Sequence, residues 1–151
     1  MNLQDLKGIV VRLKATTPEV MRKQTLKSLK NNQETAINFN TDQLFAGELA
    51  DGSKMPDYSI TSVTVFNKPP GPWRLYETGA FYRGIFMQTD KFPVVFSSKD
   101  SKTGKIADML AAKGGNPDEI FGLNKQNLKD IAKEYVLPDL QSFIRSLIRV
   151  R

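Results

Sequence analysis

Residues 75–96 limit the fold more than any other part of the chain, because the densest apolar and aromatic run lies there with a period of two. Ile85 and Met87 alternate with Phe86 and Gln88; Val94 and Phe96 alternate with Val95 and Ser97. Successive side chains of a strand point to opposite faces, so the spacing predicts an antiparallel hairpin joined at Thr89, Asp90 and Lys91. Two strands alone are marginal in water, so helices on either side must cover one face.

The rest of the chain supplies helices, and its length of 151 residues predicts one domain with a sizeable core. Leu3, Leu6, Val10 and Leu13 fall three and four apart, the stripe of an amphipathic helix. Thr16, Thr17, Pro18 and Glu19 stop it and start a second helix, with Thr17 ahead of a proline at the first helical position. That helix is expected over 18–37, on a thin stripe of Met21, Leu29, Ala36 and Ile37, and so to be solvated or covered by another subunit. Asn38, Asn40, Thr41 and Asp42 read as its end, and residues 43–47 as a short ordered piece. Asp51 and Gly52 form a turn signal, and Ile60, Val63 and Val65 allow at most one short strand.

Prolines at 56, 69, 70 and 72 exclude residues 66–73 from a sheet interior, since proline donates no ladder hydrogen bond. A stiff extended loop therefore delivers Trp73, the single tryptophan, either back onto the core or outward to an interface. Further on, 104–113 reads as a helix with Ile106, Met109 and Leu110 inward and Gly114–Gly115 as its stop. Asn116 and Pro117 start one more turn. Asn124 caps a final helix whose apolar positions run from Leu128 to Ile148, with a break or kink at Pro138.

Several kinds of chemistry are excluded at this level. The chain has no cysteine, which removes disulfides, zinc-thiolate sites and thiol catalysis and is compatible with a reducing compartment. It has no histidine either, so imidazole-dependent hydrolysis and imidazole-ligated metals are out of reach. No apolar run is long enough for a transmembrane helix, and the first residues carry no secretory pattern, so no membrane role is expected. The Gly104–Lys105 pair lacks the preceding glycine of a phosphate loop, because position 99 is Lys99. Pro56 and Asp57, with Asp100, Ser101 and Lys102, have the residue types of a Mg²⁺-dependent nuclease, but in a proline-rich loop and past a strand end.

The net charge of +6 favours polyanionic neighbours. Lys7, Arg12, Lys14, Arg22, Lys23, Lys27 and Lys30 crowd the first helices, and Arg145, Arg149 and Arg151 end the chain. No nucleic-acid recognition signature accompanies them, so phosphate contact without base readout is the DNA-binding mode left open.

The order of Asn40–Gly47, Asp51–Gly52 with Tyr58–Ser59, Tyr76–Tyr82, Ser97–Thr103 and Ile120–Asn124 ahead of a long helix resembles a phage virion-morphogenesis family. These are the small neck or tail-completion proteins of the head–tail junction, closest to versions from phages of Bacteroidetes hosts. The likeness spans residues 38–151; Ala80 stands where members often carry an acidic residue. It implies an α+β fold, with N-terminal helices and a long C-terminal helix packed on a small antiparallel sheet. It further implies a non-enzymatic virion protein without cofactor, made in the host cytoplasm and assembled with copies of itself into a ring between portal and tail. On this reading residues 1–37 are a helical part extended for assembly, and 38–151 the α+β core. The expected interface is Phe66, Pro69, Pro70, Pro72, Trp73 and Arg74, with Lys23, Lys27 and Lys30 toward packaged DNA. The alternative is a DNA-binding accessory protein or Mg²⁺-dependent nuclease.

Overall fold

The computed structural model describes residues 3–149; Arg151 and the side chain of Leu3 lie outside that description. The fold is α+β, a largely helical chain with one two-stranded antiparallel sheet and a long C-terminal helical run. In chain order the helices are α1 (Leu3–Lys14), α2 (Pro18–Asn31), α3 (Gln33–Phe45), α4 (Ile60–Thr64) and α5 (Ala80–Arg83). The hairpin β1 (Ile85–Gln88) and β2 (Val95–Ser98) follows, then α6 (Thr103–Ala112), α7 (Lys125–Ile131) and α8 (Leu137–Ile148).

The hairpin pairs Ile85 with Ser98 and Gln88 with Val95, and buries Ile85 and Met87 on one face, as the alternation requires. That face joins two apolar clusters. Leu44, Leu49, Met55, Trp73, Phe81, Ile85, Leu110 and Ile120 make the first; Ala36, Met87, Leu123 and Ile131 make the second. Ile37 touches both.

One helix over 18–37 is not what forms. The chain breaks at Asn32, and α3 runs straight through Asn38–Asp42, the supposed helix end. Asparagine is a poor helix former because its side chain competes for backbone groups. In α3 that side chain is occupied elsewhere: Asn40 Nδ2 donates to Gly122 O at 2.6 Å and Ile120 O at 3.4 Å. Gln43 Nε2 donates to the same Gly122 carbonyl at 3.3 Å, and Gln43 Oε1 accepts from Asn124 N at 2.7 Å. The inward face of α3 is therefore polar at two buried positions, and a search for an apolar stripe passes over it. Residues 60–64 are likewise helical rather than a strand, because the Ser59 Oγ accepts from Ser62 N at 3.1 Å and caps α4.

The C-terminal half follows its sequence signals more closely. Gly114, at φ 80°, ends α6, with Gly115 N bonded to Leu110 O and Gly114 N to Ala111 O. Met109, expected inward, is half-exposed. Asn124 caps α7 through Asn127 N. Pro138 neither breaks nor stops the final helix. Residues Ala132–Val136 instead form a wider π-helical turn, with Leu137 N bonded to Ala132 O, which relieves the proline ring of the carbonyl four residues back. Leu128, placed on the apolar side by spacing, is exposed.

The rotation of α1 also departs from its spacing. Asp5, Gly8 and Ile9 are its half-buried residues, while Leu6, Val10 and Leu13 are exposed. Arg12 fixes that rotation: Nε donates to Leu147 O at 2.7 Å and Nη2 to Arg149 O at 3.3 Å, satisfying carbonyls at the negative end of α8. α2 is tied to α8 from another side, where the buried Ser28 Oγ donates to Asp139 Oδ2 at 2.6 Å. Among the described residues, neither α1 nor α8 supplies one to either apolar cluster.

Candidate interaction surface

Residues 57–74 leave the first cluster, turn through α4 and the proline segment, and return to it. The two legs meet where Tyr58 N bonds to Gly71 O and Trp73 N to Pro56 O, both at 2.9 Å. Asp57 and Pro72 lie opposite each other at this crossing, so the proline sits at a position where its missing N–H costs no ladder bond. Asn67, at φ 51°, turns the chain after α4, and Lys68 N bonds to Ser62 O at 3.1 Å.

The base of this arm is packed tightly. Gly47, at φ 72°, lets the end of α3 pass so close that a β-carbon there would meet Pro72 Cβ and Cγ at 2.6 Å. Two tyrosines bracket the peptide of Arg74: its N–H donates to Tyr58 Oη at 3.2 Å, and Tyr82 Oη donates to its carbonyl. Burial pushes the Tyr82 hydroxyl well above the usual phenol range, so it stays a donor at any pH the protein meets. Arg74 itself lies 5.5 Å from the centre of the Phe45 ring.

What the arm presents is apolar and uncovered. Ile60 is 82% exposed, Phe66 66% and Val65 63%, and no residue of α4 is buried. Below it runs a groove against α6 made of two adjoining hollows, of about 380 and 370 Å³, which share Tyr58, Lys68, Leu75, Ile106 and Met109. Its rim is charged. Glu77 pairs with Lys102 at 2.9 Å, and that hydrogen bond, with the charges of Lys102, Lys68 and Lys105, holds the Glu77 carboxyl below its usual range. The same bond raises Lys102. Such a groove can hold an apolar segment and oppose negative charge beside it.

The sequence-derived interface is thus divided. Phe66 is on the exposed face, with Pro69 and Pro70 also exposed; Pro72 is at the crossing. Trp73, named with the interface but also expected to be able to fold back, is at 8% exposure part of the core, because the crossing turns the indole inward. Arg74 is half-buried and engaged by tyrosines and Phe45. Ile60 and Val65 were missed as surface anchors, and only the Ser59 cap could have moved them from a strand to an exposed helix.

The other candidates are placed as follows. Lys23, Lys27 and Lys30 are exposed and lie on one side of α2 by their spacing, with Lys23 paired to Glu19 at 3.2 Å. Lys27 borders a shallow cleft with Asp139 of α8. Asp57 and Asp100 line different hollows, and Asp100 Oδ1 accepts from Lys102 N at 2.7 Å as a turn cap. Among the described residues no cluster of three carboxylates could hold a metal ion, and no helix is long and apolar enough to cross a membrane. Comparison with family profiles, with characterised proteins and with solved structures finds no match to this chain.

Proposed function

We propose that this chain is a non-enzymatic structural subunit of a phage particle, acting at the head–tail junction as one copy of a homo-oligomeric ring between portal and tail. The observation that carries the reading is the arm. Ile60, Val65 and Phe66 are apolar side chains that a lone chain leaves in water, on a segment whose two legs are tied by backbone hydrogen bonds at its crossing. Preordered apolar anchors of this kind are what protein interfaces use, since little entropy is lost on docking. The α+β fold and the order of motifs across residues 38–151 agree with the neck family that the sequence resembles. Basic side chains on α2 suit a surface near packaged DNA, where phosphate contact needs no base readout.

A pull-down against purified portal and tail components tests the assignment. Capture by at least one of them, reduced about tenfold or more by Ile60→Lys, is the expected outcome; each such tenfold corresponds to about 1.4 kcal/mol of contact. Ile60→Lys leaves the core untouched, so loss of binding with unchanged thermal stability points to the surface itself. Failure to bind either component removes the assignment.

A further inference from the structure

One side of α6 enters the core through Leu110, and another lines the groove beneath the arm. Along that second side Lys102, Lys105, Ile106, Met109 and Lys113 follow one another at helical spacing, and all border the two hollows. Apolar groups thus hold the middle of this wall and lysines both its ends. On the opposite wall Tyr58, Lys68 and Leu75 border both hollows, and Phe66 borders the second. Exposed apolar side chains elsewhere, such as Phe92 and Leu128, border neither.

The cations of the groove outnumber the carboxylates that can serve them. Lys68, Lys102, Lys105 and Lys113 line it against Asp57, Glu77 and Asp100. Glu77 pairs with Lys102, and Asp100 Oδ1 accepts from the Lys102 N–H. Lys68 and Lys105 act on the same Glu77, so three cations share one carboxylate. Among the described residues, Lys68, Lys105 and Lys113 have no ion pair of their own. Lys68 is half-buried, and its Nζ donates to Tyr76 O at 3.4 Å, which keeps that charge beside the hollows. Leu75 is a separate sign. Its φ of 51° is the left-handed region, where a leucine is strained, and residues held in such backbone gather at ligand clamps.

We propose that the groove is a docking site for a segment of another protein in which apolar side chains are flanked on both sides by carboxylates. The apolar centre of the segment covers Ile106, Met109 and Leu75, and its acidic ends meet Lys105 at one end of α6 and Lys113 at the other. A phosphate backbone fits less well, because it sets charge over the apolar middle and runs it past Asp57 and Glu77. A second copy is also a poorer occupant. The run Asp118–Phe121 has the acidic and apolar residue types, but it is folded in, with Ile120 only 1% exposed. The inference does not rest on the neck assignment.

Calorimetric titration of the full-length protein with a capped peptide, Glu-Asp-Leu-Phe-Leu-Asp-Glu, tests the proposal. Trp73 borders the second hollow and is the single tryptophan, so its emission reports occupancy independently. The expected result is saturable binding that shifts that emission. Affinity should exceed that of a twin with lysine at the acidic positions, or with serine at the apolar ones, by about tenfold or more. High salt should weaken it. The double variant Lys105→Glu/Lys113→Glu, at two exposed positions, should lose about tenfold for the acidic peptide and gain for the lysine twin, with an unchanged thermal midpoint. Met109→Glu should weaken the acidic peptide by a similar factor.

No saturable binding, equal affinity for the lysine twin, or unchanged affinity in both variants overturns the inference. Oligothymidylate that binds more tightly than the peptide, and is lost in the same double variant, gives the groove to nucleic acid instead. An emission shift on concentrating the protein alone gives it to a second copy. Either result also overturns the inference. A chain that takes the peptide yet binds neither portal nor tail keeps the groove and loses the neck assignment.

Discussion

Asn40→Asp is the substitution that most sharply separates the observed α3 from a solvated helix. The new side chain has the same shape but replaces the Nδ2 donor with oxygen. At 0% exposure that oxygen faces the carbonyls of Gly122 and Ile120, now at 2.6 and 3.4 Å from an acceptor instead of a donor. The other oxygen occupies the position of Asn40 Oδ1, which has no hydrogen-bond partner. An uncompensated buried charge of this sort costs about 3–5 kcal/mol, whereas Asn and Asp differ little in helix propensity on an exposed face. In urea the midpoint should fall by about 2 M with an unchanged slope, taking a slope near 2 kcal/mol per M. The penalty has a definite pH dependence. Burial raises the introduced carboxyl above its unfolded value, so the loss is greatest at neutral pH and shrinks as pH falls into the ordinary carboxyl range and the group takes up its proton. A variant as stable as wild type at neutral pH would mean that Asn40 does not face Gly122, and the account of α3 would fail with it.

Gly47→Ala should lose about 3 kcal/mol, from the left-handed backbone and the collision with Pro72 together, and should shift the emission of the single tryptophan, Trp73, at the arm's base. Ser28→Ala removes the bond to Asp139 and should cost about 1 kcal/mol, or some 2–4 °C in thermal midpoint, by calorimetry. Glu77→Gln tests the groove rim: because the folded carboxyl is held low, its contribution is present at neutral pH and is lost as pH falls through that lowered value. Wild type and variant should therefore differ in thermal midpoint at neutral pH and converge in acid; a constant difference across that range would contradict the pairing with Lys102.

The parts of the fold legible from sequence were those set by local rules. The hairpin followed from a period of two, the stop of α6 from Gly114 and Gly115, and the start of α7 from Asn124, because each of these signals acts within a few residues. Contacts far along the chain decided what was misread. Asn40 and Gln43 are polar residues whose partners lie some 80 positions away, so no pattern in α3 alone marks them as inward. The rotation of α1 is set by Arg12 reaching the end of α8, against the direction its leucine and valine spacing favours. Residue type left Trp73 between core and interface, and the bonds from Tyr58 to Gly71 and from Trp73 to Pro56 turn it inward. The exposed apolar residues of the arm are then Ile60, Val65 and Phe66, of which only Phe66 was expected at an interface and the other two in a short strand.

Quantitative mass spectrometry of purified particles tests the central claim most directly. The account predicts this chain in intact virions, in several copies per particle and at a fixed ratio to the portal protein across preparations. Its absence from particles of a phage that expresses it would contradict the claim.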